Sequence, residues 1–185
     1  VSLPTYLVET LTPSNPILHT SRLYSMFKDW QPGATYPENI LFYEGWTNDA
    51  SETLIAADAE VQALCRALED ATHLDLSGVR SLKDHYESPT AAAMTNKISH
   101  IPAFAGFTSP MQETETGWVP DFSSRYFVAD FAYGMKAIQD IARLMDVPTP
   151  TIDQMWDWYT KTAHPEHIIE ALPAMRKAFL ELYTA

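Results

Sequence analysis

A single cysteine, Cys65, stands among 185 residues, so no internal disulfide can staple this chain. It falls on the apolar stripe of a strong helical pattern, which reads as an inert core thiol rather than a nucleophile. A reducing cytosol is the expected setting. Glycine is scarce, with six residues, and none are spaced as a phosphate-cradling loop or set in a nucleotide-binding βαβ pattern. No apolar run approaches the roughly 20 residues that span a bilayer. Basic residues are also few: 12 Lys and Arg against 24 Asp and Glu leave a net charge of -12. That balance argues against a phosphate backbone as the main partner. A small anionic substrate is not excluded, because it responds to the field of one or two nearby arginines. The chain opens Val1-Ser2-Leu3-Pro4, without an initiator Met or a signal-like apolar stretch, as expected of a processed or truncated piece of a longer polypeptide.

What is present is helical periodicity over a length that suits one domain. Asn15 and Pro16 suit the N-cap and first position of a helix carrying His19, Leu23, Phe27 and Trp30 on one stripe. The segment 37–47 is irregular around Gly45. Asp49, with Glu52 as a capping-box partner, begins a helix expected to be among the longest, to about Glu69. Its inner face carries Leu54, Ile55, Asp58, Val61, Leu64, Cys65 and Leu68. Shorter helices are expected over 79–87 and 90–99. From 101 to 124, Pro and Gly break the pattern, and a functional loop or a short hairpin fits. Helix returns after Asp130, with Phe131, Met135, Ile138, Ala142 and Met145 on one face, and stops before Pro148. Thr151 caps a helix with Ile152, Met155, Trp156 and Tyr159 inward. The last stretch, 166–183, puts Ile169, Leu172, Met175, Phe179 and Leu182 on one side, with Pro173 starting or kinking a helix. The expected class is all-α, a multi-helix bundle with one irregular insertion.

His19 is the first candidate for chemistry, because only imidazole changes charge near neutral pH without strong perturbation. Its place in the first turns of a helix disfavours imidazolium, and a carboxylate partner opposes that. The plain alternative is a core histidine satisfied by backbone. Arg125, beside Tyr126 and Phe127, either clamps a substrate carboxylate with its planar fork or borders a buried aromatic pair. Asp130 either orients His19 or caps the helix after it. Trp46, next to Gly45, lines a pocket or anchors the core. His164-Pro165-Glu166-His167 looks metal-like, but the proline prevents one helix face from presenting both imidazoles, so it reads as structural. Asp153 with Asp157, and Asp58 with Gln62, read as solvated helix faces.

Several segments in order carry a resemblance: Asn15-Pro16-Ile17-Leu18-His19, Phe42-Tyr43-Glu44-Gly45-Trp46-Thr47, Ala103-Phe104-Ala105-Gly106-Phe107, the run from Ser124 through Arg125-Tyr126-Phe127-Val128-Ala129-Asp130 to Gly134, and Val147-Pro148-Thr149-Pro150-Thr151-Ile152-Asp153. Over nearly its whole length the chain resembles the C-terminal, substrate-binding domain of the octopine/nopaline (opine) dehydrogenases. The resemblance implies an all-helical domain related to that of 6-phosphogluconate dehydrogenase. It also implies a partner N-terminal Rossmann domain, absent from these 185 residues, that binds NAD or NADP. The implied reaction joins an amino acid to a 2-oxo acid and reduces the imine. By the same resemblance His19 is the acid/base, Asp130 orients it, and Arg125 holds the oxo-acid carboxylate. Asn15 orders the centre beside the nicotinamide, and Trp46 and Tyr133 line the pocket. One departure is Ala129, where family members generally carry Glu or another polar residue. Two readings compete: a reductase for other 2-oxo or 2-hydroxy acids, and a non-catalytic helical module for binding or dimerisation. Neither nucleic acid nor membrane is an expected partner, and a homodimer is left open.

Overall fold

The computed structural model describes residues 5–166, 168, 171 and 173–184. Its helices are α1 (Tyr6–Leu11), α2 (Thr20–Phe27), α3 (Asn48–Thr72), α4 (Leu82–His85), α5 (Ala91–Ser99), α6 (Arg125–Val128), α7 (Lys136–Leu144), α8 (Pro150–Ala163) and α9 (Arg176–Glu181). Two wide turns of π type, Ser14–His19 and Asp130–Met135, lead into α2 and α7. One hairpin, β1 (Met111–Thr114) and β2 (Gly117–Pro120), pairs antiparallel from Met111 with Pro120 to Thr114 with Gly117. The architecture is therefore mainly helical, with the hairpin in the segment where helical periodicity failed. No helix among the described residues is long and apolar enough to cross a membrane.

The long helix α3 is the hub, packing against α2, α5, α7 and α8. Leu54, Val61, Leu64, Cys65 and Leu68 are buried along it as their spacing requires, while Ile55 is only half-buried. Its N-cap lies two residues earlier than expected, at Thr47 rather than Asp49. The Thr47 hydroxyl accepts from Ala50 N–H, and Asp49 instead turns to Lys28 and Ser25. No Glu52 capping box forms, because Thr47 rather than Asp49 holds the cap. The helix runs on to Thr72, where His73 in the left-handed region closes it. Asp58 is buried and not solvated: Oδ2 accepts from Leu82 N–H, and Oδ1 has no hydrogen bond among the described residues.

Other boundaries shifted for local reasons. The expected helix 79–87 shrinks to α4, because Ser81 caps it and Glu87 turns to positive φ. Pro150, not Thr151, opens α8, with Thr149 at the N-cap position, since proline's fixed φ suits the first helical position. Glu60 of α3 supplies the missing cap, its carboxylate accepting from Thr151 and Ile152 N–H at 2.7 and 3.0 Å. Asp153 accepts from Gln139 and Thr149 and is not a solvated face. Pro173 starts a short turn ahead of α9. Of the terminal stripe, Phe179 packs partly buried against the core, while Met175 and Leu182 are exposed. Ile169 and Leu172 lie outside the described residues.

Backbone hydrogen bonds lace the irregular segments together. Tyr36 and Trp118 exchange N–H···O bonds, Phe42 N–H donates to Phe107 O, and Ser109 N–H donates to Ile40 O. This seam fixes residues 36–46 against residues 104–118 beside α2.

Candidate active site

Both wide turns carry a residue singled out for chemistry. In the first, Thr20 Oγ1 donates to Pro16 O at 2.5 Å, and His19 lands on the inward stripe with 6 % of its surface exposed. In the second, Asp130 does not occupy the N-cap of the following helix. It sits inside the turn with Ala129 before it. Its Oδ2 lies 2.8 Å from His19 Nδ1. A carboxylate only accepts, so Nδ1 carries the proton and donates it. Inserted turns of this type are frequent at functional sites because they re-aim one side chain without ending the helix.

The other ring nitrogen is engaged too. Nε2 of His19 is 2.9 Å from the Tyr43 hydroxyl in a buried contact. With Nδ1 protonated on a neutral ring, Tyr43 O–H is the donor and Nε2 the acceptor. Tyr126 lies tilted over the imidazole at 4.8 Å between ring centroids, and Phe42 meets it edge-on at 5.5 Å. Burial pushes the Tyr43 phenol well above its ordinary range, with Tyr126, Tyr86 and Asp130 adding to the effect. Burial also raises Tyr126, against the pull of Arg125.

Tyr43 was not among the residues the sequence nominated. Its hydroxyl meets His19 across an irregular turn that neither helical nor strand periodicity describes. The only available signal was its place in the Phe42-Tyr43-Glu44-Gly45-Trp46-Thr47 stretch. That turn is held by buried Arg22, whose Nε donates to Phe42 O at 2.9 Å. Burial lowers the Arg22 guanidinium to about 10. At Gly45 a Cβ would meet Leu41 O at 2.6 Å, so a side chain there would force the turn apart.

The remaining nominated residues separate. Arg125 and Asn15 are exposed, on the same local segments as Asp130 and His19, and no described group forms a salt bridge with Arg125. Trp46 is a core anchor, 5 % exposed, with its indole N–H on Ser51 Oγ at 2.9 Å and its ring parallel to Tyr43. Its burial places it in the core. Tyr133 is 68 % exposed and borders a different groove, with Phe122, Val128, Tyr159 and His164, that includes neither His19 nor Asp130. His164 closes α8 in the left-handed region, His167 lies outside the described residues, and the described residues hold no cluster of three or more metal-ligating side chains.

The helical domain that holds this pair has counterparts among known proteins. The family model for the alpha-helical domain of NAD/NADP octopine/nopaline dehydrogenase matches residues 2–163. The chain belongs to the octopine/nopaline dehydrogenase family. It is 31 % identical over 170 residues to an opine dehydrogenase of Haliotis discus hannai, covering 88 % of this chain and 42 % of that protein. It is 29 % identical over 163 residues to a tauropine dehydrogenase of Arabella iricolor, covering 84 % of this chain and 41 % of that protein. Among solved structures, octopine dehydrogenase with NADH and L-arginine matches 98 % of this chain and 50 % of its own, with a TM-score of 0.81 at 22 % identity. The pyruvate complex matches 92 % and 42 %, with a TM-score of 0.78 at 23 % identity. These likenesses establish the fold as the family's helical domain. The chain spans about two fifths of the length of the curated family members it matches.

Proposed function

We propose that this chain is the substrate-binding and proton-supplying domain of an NAD(P)-dependent dehydrogenase of the opine type. In this reading a second, N-terminal Rossmann domain binds the dinucleotide. The reaction joins the amino group of an amino acid to a 2-oxo acid and reduces the product. The observation that carries it is the 2.8 Å contact of His19 with Asp130. A helical module that only binds a partner has no need of a charge-oriented imidazole assembled from segments 111 residues apart.

The residues fit a neighbour of the nicotinamide better than a nucleotide site. Among the described residues nothing cradles phosphates, whereas the exposed Asn15 amide stands one turn from His19. The nicotinamide, when bound, supplies the hydride. The oxo-acid clamp and the proton fall to this chain. Arg125 offers an exposed fork to the oxo-acid carboxylate. His19 supplies the proton that lets the carbonyl oxygen leave as water, and Asp130 holds the imidazole in one tautomer and stabilises its charge. Relatives of known function are named for opine, tauropine and octopine, and solved neighbours hold NADH with pyruvate or L-arginine. Those names support the reaction class.

The test is NAD(P)H oxidation by the full-length protein with pyruvate and a panel of amino acids, repeated with His19→Ala. Turnover with at least one pairing is expected, falling by about 10²–10⁴-fold in the variant. An unchanged rate in His19→Ala would reject the mechanism. The isolated 185-residue chain is expected to turn over nothing.

A further inference from the structure

A general acid needs a donor atom that faces the oxygen it protonates. His19 has none to spare. Nδ1 is 2.8 Å from Asp130, Nε2 is 2.9 Å from Tyr43, and Tyr126 and Phe42 lie against the ring. The imidazole and the Tyr43 phenol are both buried, so the choice between them rests on hydrogen-bond capacity. To deliver a proton directly, the ring would have to abandon one of its two partners.

Tyr43 is poorly placed to step aside. Its ring stacks on Phe104 with centroids 4.2 Å apart and lies parallel to Trp46, while Phe42 and Phe107 meet it edge-on. The backbone around it is pinned by Arg22 on Phe42 O, by Gly45 N–H on Leu41 O and by Trp46 N–H on Tyr43 O. Glu44 accepts from Gly106 N–H, tying this turn to the loop that carries Phe104 and Phe107. A phenol fixed in this way can still move a proton, because one hydroxyl accepts and donates at once.

We propose that the Tyr43 hydroxyl is the group that hands the proton to substrate, so that Asp130, His19 and Tyr43 act as one hydrogen-bonded chain. This rests on the reductive reading of the site given above. The bonds balance as follows. The Nε2–H bond of imidazolium breaks and its proton bonds to Tyr43 Oη. The phenolic O–H bond breaks toward the hydroxyl oxygen of the amine–oxo acid adduct. The adduct's C–O bond then breaks, water leaves, and the nitrogen lone pair closes the C=N bond. His19 ends neutral with Nδ1–H still on Asp130, and Tyr43 ends as the phenol. Burial that disfavours phenolate suits this role, because the tyrosine passes a proton on without storing charge.

The experiment compares the full-length wild type, Tyr43→Phe and His19→Ala in steady-state turnover and in mixtures of light and heavy water. Phe keeps the ring contacts and removes only the hydroxyl. Tyr43→Phe is expected to lower kcat by about 10²–10³-fold with the oxo-acid KM changed by less than about threefold. The wild type should show a curved dependence of kcat on deuterium fraction, from two protons in flight, that becomes linear in Tyr43→Phe. A merely structural tyrosine would leave that curvature in place. Loss in His19→Ala with Tyr43→Phe within about fivefold of wild type removes the relay and keeps the proposed function. A linear dependence in the wild type also removes the relay. Turnover that neither substitution affects, or no turnover at all, removes both.

Discussion

Asp130 accepts from Nδ1 of His19 although 111 residues separate them, and each sits in a widened turn that leads into a helix. The carboxylate fixes which imidazole nitrogen holds the proton. Asp130→Asn is therefore expected to leave the fold intact and to lower turnover of the full-length protein by about 10²–10⁴-fold, since a carboxamide can present either end to Nδ1. Circular dichroism alongside NAD(P)H oxidation checks this, and a rate within about threefold of wild type would refute it.

Arg125 is exposed and forms no salt bridge with a described group, so its fork is available to a carboxylate. Arg125→Ala should raise the oxo-acid KM by about tenfold or more, the scale of one charge-assisted contact, with a smaller effect on kcat. Arg125→Lys should recover little of the loss, because lysine lacks the planar fork. Steady-state kinetics with the oxo acid varied at saturating amine separate these outcomes.

Trp46 belongs to the core, so its loss should appear in stability. Trp46→Ala is expected to destabilise the domain by about 3–5 kcal/mol, measured by urea unfolding. The indole fills space between Tyr43 and Arg22 and satisfies Ser51. A raised substrate KM at unchanged stability would instead place it in the pocket.

Asp58 predicts a pH dependence of stability. Burial raises its carboxyl from 3.8 to about 6, against the hydrogen bond from Leu82 N–H. The folded state thus holds the proton more tightly than the unfolded chain. That contribution is complete below about 4 and is lost as pH rises through about 6. Asp58→Asn keeps an acceptor for Leu82 and removes the charge. It should be stabilising by on the order of 2 kcal/mol at neutral pH, with the gain fading toward pH 4. Urea midpoints of both proteins across that range test it; a pH-independent difference would contradict the assignment.

Long amphipathic stretches were legible in the sequence: the inner faces of α3 and α8 were readable because a 3.6-residue period survives any tertiary detail. Helix starts were less so. Thr47 and Asp49 are both good caps, and what decides between them is an ion pair of Asp49 with Lys28, across 21 residues. At α8 the local preference of Pro150 outweighed Thr151, and the cap came from Glu60 on another helix. His19 and Asp130 stood out, and Asp130 could be offered as the partner, but sequence spacing could not bring together two residues 111 apart or choose between that role and a helix cap. Tyr43 escaped because its partner lies across an aperiodic turn, and Trp46 was ambiguous because an indole beside a glycine serves a core or a pocket equally well.

The two widened turns touch where Gly134 meets Pro16: a Cβ built on Gly134 would sit 3.0 Å from the proline ring. Proline fixes the backbone on one side of this crossing and glycine removes the obstruction on the other. The spacing of acid and imidazole is thus gauged by main chain rather than by the reach of two flexible side chains. A domain closing over this surface would meet a centre already set to length, and the work left to closure would be to place the substrate and shut out water.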